Sequence, residues 1–288
     1  RSGTAIGDQL LISGVSKIIK KQYDLKIILF VKYDKFFLFN PNIYKTIKID
    51  NTKFFDKIII FLLTNLKGNH ILEFHTEKNN KNGKHFYYLY KKKMHIAETH
   101  CDHFNLNLDF NSFKNEIFFK EYELEKFKEE LKLPKKFSVI QSTSKQSFTK
   151  NKEWRVQGMQ SIVHNFSNLN WIQVGTHGEP ILKNCRQMFD LDFRKLSYII
   201  KMCEFVVSYE GLFNHLASCF NKKNFLIHTG FLPISFSYYP NNILIENNTN
   251  IKCYPCYDFE CKDHNKFVND AINEEFVIRK INNNISYL

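Results

Sequence analysis

The sequence predicts an α/β fold organised as two domains. Short apolar runs alternate with stretches of helical periodicity along the chain. The second half repeats that alternation with loops of glycine and small polar residues closing each run. The chain has 288 residues, more than one ordinary domain holds, and 43% of them are hydrophobic, enough to bury a core in each half.

The first element follows a small-residue turn bracketed by Gly3 and Gly7. Leu10, Leu11, Val15, Ile18 and Ile19 then recur at helical spacing, so a helix starts at Gly7-Asp8. Glycine at that junction lets a ligand approach the backbone closely. Asp8 is therefore either a helix cap or a carboxylate presented to a substrate. The apolar runs at 26–31 and 57–62 read as buried parallel strands, and the Asn-rich segment 79–84 as a turn. A helix over 94–104 carries His95, Glu98, His100 and His103 on its exposed faces. Mixed charge at helical spacing runs over 113–131, and the segment 133–136, with Pro134 at its centre, breaks that helix and predicts a linker.

The second half reads as strands at 137–141, 170–174, 205–207 and 224–227, with helices at 154–166, 193–202 and 212–220 between them. That is a doubly wound pattern, in which ligands bind beyond the carboxyl ends of the strands. Each strand end carries polar or glycine residues, namely Gln141 to Ser144, Gly175 to Glu179, Ser208 to Gly211 and His228 to Gly230. The domains are accordingly expected at 1–133 and 137–265, with a helical segment at 266–288 packing back across the hinge.

A formal charge of +12 is compatible with a polyanion partner. Lys, Asn, Ile and Phe are over-used together, and this shared bias accounts for the charge equally well. Clusters such as Lys17, Lys20 and Lys21, or Lys91 to Lys93, read as solvated faces, and nucleic acid is not an expected partner. Seven scattered cysteines, an odd number, predict reduced thiols and a cytoplasmic protein. The longest apolar run, 58–63, is far below the ~18 residues that span a bilayer. Peripheral contact with the inner membrane face stays open through the Lys-rich first half and its aromatic residues.

Three motifs in this order carry a resemblance: Gly7-Asp8, then the Ser/Thr loop with Lys152-Glu153-Trp154, then the stretch from Val206 through Tyr209-Glu210-Gly211 to His215 and Ala217. Together they resemble glycosyltransferase family nine, the heptosyltransferases of lipopolysaccharide synthesis, over most of the chain. The resemblance implies a GT-B architecture of two facing Rossmann-like domains with a cleft between them. It implies metal-independent inverting transfer of a sugar, heptose from ADP-heptose, to a lipid-linked or other surface-glycan acceptor, with no cofactor required. Asp8 matches the family's base, with Gly7 and Gln9 beside it on the acceptor side. Ser142, Thr143, Ser144, Lys152, Glu179, Glu210, Gly211, Leu212 and His215 match the donor side, where a cation, hydroxyls and helix N-terminal amides meet a leaving diphosphate.

Departures are also visible. The family's Asp-Thr-Gly is Tyr209-Glu210-Gly211 here, with one extra residue before His215, so Glu210 either touches the sugar or serves the helix and its loop. His215 is either a donor ligand or a core histidine. Glu179 either accepts ribose hydroxyls or is solvated. Family members place an apolar strand before the Gly-Asp turn; here that strand either lies before Arg1 or the first sheet is one strand shorter. Cys253, Cys256, Cys261 and His264 have a spacing that could hold a structural zinc or could be reduced thiols. The histidines of 95–103 lack the carboxylate or thiolate density of a metal site. Two other readings remain: a GT-B enzyme of another kind, using another donor or acting as a sugar-nucleotide epimerase, and a nonenzymatic nucleotide- or glycan-binding module.

Overall fold

A computed structural model describes residues 6–49, 53–65, 95–103, 105–144, 149–246, 255 and 272–285. The chain divides into two compact units, Arg1–Lys120 and Glu121–Leu288.

In the first unit, helix α1 (Ile6–Tyr23) buries Leu10, Leu11, Ile12, Val15 and Ile19. Gly14 lets the segment after helix α3 pass close, because a Cβ there would stand 2.6 Å from the Lys114 carbonyl oxygen and 2.7 Å from the Phe113 ring. Glu116 ties the same segment to α1: its amide donates to Ser13 Oγ at 2.8 Å and its carboxylate meets Lys17 Nζ at 2.7 Å. Strand β1 (Ile28–Val31) pairs in parallel with β2 (Lys45–Lys48) in a two-stranded sheet. Helices α2 (Phe54–Asn65) and α3 (Ile96–His103) follow.

Two readings of this unit are corrected. The run at 57–62 lies inside α2 and is helical, since a short apolar run does not by itself distinguish a strand from a helix. The second strand is β2, whose Lys-Thr-Ile-Lys sequence carries no apolar run. His95 is buried and stacks near Phe110 and Phe113, with ring centroids 5.1 and 6.0 Å away. It caps α3: its Nδ1 accepts from the Ala97 amide at 3.1 Å, while its own amide donates to Glu98 Oε2 at 2.7 Å. The side chains of His100 and His103, and the segments 79–84 and 91–93, lie outside the described residues.

The second unit starts with helix α4 (Glu121–Leu131), so the boundary falls ahead of the expected linker at 133–136. Residues 113–120 are not helical. A six-stranded, all-parallel sheet follows, made of β3 (Ser138–Gln141), β4 (Trp171–Gly175), β5 (Cys185–Phe189), β6 (Phe205–Tyr209), β7 (Lys223–His228) and β8 (Asn242–Glu246). Its spatial order is β5-β4-β3-β6-β7-β8, the doubly wound order with its switch point between β3 and β6. Helices α5 (Val156–Asn165), α6 (Phe193–Met202), α7 (Leu212–Cys219) and α8 (Glu274–Ile285) complete the unit. Strands β5 and β8 are additions to the sequence reading. Both are edge strands, and β5 has no buried residue, with Arg186 and Gln187 exposed at its centre, so it lacks the apolar run of a central strand.

Trp154, Met159, Ile162, Phe205, Val207, Phe225 and Ile227 form the centre of the core, joined by Ile272, Val277 and Ile281 on and just before α8. Helix α8 packs on α5, and Trp154 Nε1 donates to the Ile272 carbonyl at 3.1 Å. Helix α4 is held by a two-pronged ion pair, Arg194 Nε to Glu123 Oε1 at 3.2 Å and Nη2 to Oε2 at 2.7 Å, beside the Phe127 and Tyr198 rings. Breaking a buried pair leaves the surviving charge uncompensated. Arg194→Ala should therefore lower stability by about 3–5 kcal/mol, while Lys126→Ala, at the exposed Glu130 pair, should lower it by less than ~1 kcal/mol. Denaturant melts of the two variants check the contrast.

Candidate functional site

The loops leaving β3 and β6 flank the switch point at the carboxyl edge of the sheet, the place where ligands of doubly wound sheets bind. Ser142 continues β3 and is buried; its Oγ accepts from Gln173 Nε2 at 2.9 Å. Thr143 follows, and its buried Oγ1 has no hydrogen-bond partner among the described residues. Glu153 holds Ser144, accepting from its amide at 2.8 Å and its hydroxyl at 3.2 Å. Two of the three expected phosphate hydroxyls are thus engaged by the protein itself.

Lys152 closes a short 3-10 helix, Lys150–Lys152. Two contacts fix it: Thr149 Oγ1 accepts from the Asn151 amide at 3.0 Å, and Thr229 Oγ1 donates to the Asn151 carbonyl at 2.5 Å. The Lys152 ammonium lies 3.3 Å from Glu210 Oε1 and 5.4 Å from the centre of the Phe231 ring. Both charged side chains are largely enclosed, 17% and 9% exposed. Lys152, Glu210, Ile227, His228, Thr229 and Phe231 line a narrow opening here.

Gly211 follows Glu210 with φ of 137°, a conformation that a residue with a Cβ adopts only under strain. It is the N-cap of α7, so the free amides of that helix begin beside the Lys152–Glu210 pair. Leu212 is the first helical residue. Asn214, one turn in, organises the floor. Its Nδ2 donates to the Ser237 carbonyl at 2.6 Å, and its Oδ1 accepts from Asn224 and Asn242 at 3.0 and 2.7 Å.

Two histidines stand below. His215 is buried, with Nδ1 2.6 Å from the Tyr239 hydroxyl, a core contact of the kind the second reading of this residue expected. Burial first, and the Lys152 ammonium second, lower its pKa to about 3. His228, at the end of β7, is also held below the ordinary imidazole value, by burial and by Lys152, against Glu210 and the Leu232 backbone, which act in the opposite sense.

Glu179 sits one strand outward, after β4. One carboxylate oxygen accepts from the Thr176 amide and hydroxyl, both at 2.9 Å. The other, Oε2, lies against Gly175, buried and without a partner among the described residues, while the residue as a whole is half-buried in an exposed loop. In the first unit, Gly7 and Asp8 lie in the first turn of α1, and the side chain of Asp8 is outside the described residues. Gln9 is buried and its Oε1 accepts from the Tyr33 amide at 3.0 Å, an internal bond rather than an open surface for an acceptor. Cys253, Cys256, Cys261 and His264 lie outside the described residues, and no group of three or more potential metal ligands occurs among the described ones.

Lys152, Glu210 and Gly211 are thus brought together, and Ser142 to Ser144 stand earlier in the connection after β3 that also carries Lys152. Sequence reasoning counted His228 to Gly230 among the strand ends that face a ligand but singled out neither His228 nor Thr229, and it gave no role to Phe231.

No family model matches the chain, and no curated protein matches it. Solved structures do. A family 9 glycosyl transferase from Veillonella parvula DSM 2008 is 13% identical with a TM-score of 0.68, covering 97% of this chain and 94% of that one. TibC, an iron-containing dodecameric glycosyltransferase from enterotoxigenic E. coli H10407, is 13% identical with a TM-score of 0.65, covering 98% and 74%. The ADP-heptose LPS heptosyltransferase II of E. coli is 10% identical with a TM-score of 0.59, covering 98% and 96%. The chain therefore has the mixed α/β fold, with parallel sheets, of these GT-B glycosyltransferases. At such identities the likeness is one of fold.

The depressed His215 pKa has a consequence for stability. The unfolded chain takes up a proton near pH 6.5 and the folded chain resists it until about 3, so stability should fall as pH drops through that window. His215→Gln removes this proton uptake. Its melting temperature should decline less than that of the wild type between pH 7 and 4, and parallel curves would exclude the effect.

Proposed function

We propose that the chain is an inverting glycosyltransferase that moves a sugar from a nucleoside diphosphate to a hydroxyl of a glycan or lipid-linked acceptor. One observation carries the reading: an enclosed lysine and the N-terminus of α7 meet at the switch point of a doubly wound sheet. That is the arrangement a leaving diphosphate requires. As the glycosidic bond to the phosphate breaks, negative charge grows on the diphosphate oxygens. Lys152 and the first amides of α7 compensate that charge, so the reaction needs no metal at this point. A bound phosphate takes the place of the Glu210 carboxylate beside Lys152, and Thr143 Oγ1 offers a further donor.

Heptose from ADP-heptose is the proposed donor, supported by the shared fold with an enzyme named for it. Lipopolysaccharide or another surface glycan is the proposed acceptor. Asp8 is the proposed base, taking the proton of the attacking acceptor hydroxyl; one carboxylate suffices for inversion. Helix α2 exposes Phe54, Phe55 and Leu62 next to Lys53 and Lys57, a combination suited to a lipid surface carrying the acceptor.

Thermal shift against ADP-, GDP-, UDP- and CMP-sugars identifies the donor class, since a ligand of the folded state raises the melting temperature. Lys152→Ala should weaken binding of that nucleotide about 10–100-fold, the scale of a lost charge-assisted hydrogen bond. Unchanged affinity would remove Lys152 from the phosphate site. Asp8→Asn should lower turnover by about 10²–10⁴-fold while donor affinity stays within about twofold. A stable, donor-binding Asp8→Asn protein with normal turnover would return Asp8 to a helix cap.

A further inference from the structure

His228 lines the opening beside Lys152 and Glu210 at the end of β7, and its buried Nδ1 has no partner among the described residues. The ring also meets the Leu232 backbone, a contact that favours a proton on the ring and so is made by a ring N–H to a carbonyl. With that hydrogen on the other nitrogen, Nδ1 carries a lone pair, and burial above all keeps the ring neutral, with Lys152 adding to the effect and Glu210 opposing it. Such a nitrogen accepts a hydrogen bond and repels a phosphate oxygen, so its natural partner is a hydroxyl.

The sheet order says which hydroxyl. Along the carboxyl edge run the ends of β4, β3, β6 and β7, bearing Glu179, Ser142 to Ser144, Glu210-Gly211 and His228 in turn. Neighbouring strands are about 4.8 Å apart, so these four ends span roughly 14 Å, on the order of an extended sugar nucleotide. The acceptor oxygen of Glu179 stands at one end, the cation and helix amides in the middle, and the acceptor nitrogen of His228 at the other. Ribose, diphosphate and sugar present hydroxyls, anionic oxygens and hydroxyls in that same order.

We infer that His228 is a specificity-determining ligand of the donor, its Nδ1 accepting a hydrogen bond from a hydroxyl of the transferred sugar as that sugar lies over the end of β7. This rests on the transferase reading above. It adds to that reading the atom that distinguishes the sugar nucleotide from the bare nucleoside diphosphate.

The test compares nucleotides with and without their sugar by calorimetric titration: ADP with ADP-heptose, GDP with GDP-mannose, and UDP with UDP-glucose. The sugar increment is the ratio of the two dissociation constants for the pair that binds. His228→Gln keeps an N–H near the outer ring position and removes the acceptor, whereas His228→Asn keeps an acceptor oxygen near the place of Nδ1. His228→Gln should lose about three- to tenfold of the sugar increment, the size of one hydrogen bond, with nucleoside diphosphate affinity unchanged; His228→Asn should keep most of it. Equal losses for diphosphate and sugar nucleotide would place His228 on phosphate and overturn the inference, as would an intact increment in His228→Gln. Should both variants unfold, deoxy analogues of the bound sugar nucleotide tested on the wild type decide: one hydroxyl position should account for the same loss, and no such position overturns the inference. If no pair binds the wild type at all, the transferase reading falls and this inference with it.

Discussion

The pairing of β3 with β6 is the constraint on which the rest of the second unit depends. Val139 and Ile140 lie beside Val206 and Val207, and from this seam the chain winds outward in both directions, through β4 to β5 and through β7 to β8. Because crossovers between parallel strands are right-handed, the connections on the two sides of the seam run over opposite faces of the sheet. The loops after Gln141 and Tyr209 therefore lead to opposite faces, and the ends of β3 and β6 mark the edge where such sheets take their ligands.

That edge is held by buried polar groups that satisfy one another. Asn214, Asn224, Asn242 and Ser208 form a closed network beneath the start of α7, with Ser208 Oγ 3.0 Å from Asn224 Oδ1. Such groups are costly to bury unpaired, so the network fixes α7 relative to β6, β7 and β8. The Lys152–Glu210 pair has a different character. It sits in the opening, and each of its two charges compensates the other, so neither is left bare in a largely enclosed place.

Much of the second unit was legible in the sequence because its central strands are buried on both faces and therefore read as unbroken apolar runs. The helix beginning at Leu212 and the glycine before it were legible for a related reason: a strand, a turn glycine and an amphipathic helix leave three successive local signals. Strand β5 left none, since at the sheet edge it carries Arg186 and Gln187 facing outward. Helix α2 was read as a strand because a six-residue apolar run carries too little periodicity to tell the two apart, and β2 went unread because its four residues hold no apolar run. His95 and Gln9 show the limit for single polar residues. Both are polar and sit near helix starts, and nothing local signals that each is buried against a particular partner.

What the sequence determined by itself was the class of fold, the central strands of the second unit, and the residue types at their carboxyl ends, because periodicity and turn chemistry are local. What only the tertiary structure decided was which of those ends are neighbours. Strands adjacent in the chain are not always adjacent in the sheet, and the switch point joins β3 to a strand more than sixty residues later. Lys152 meets Glu210 across 58 residues of chain, and His228 joins them from a third strand, because long-range packing sets which strand lies beside which.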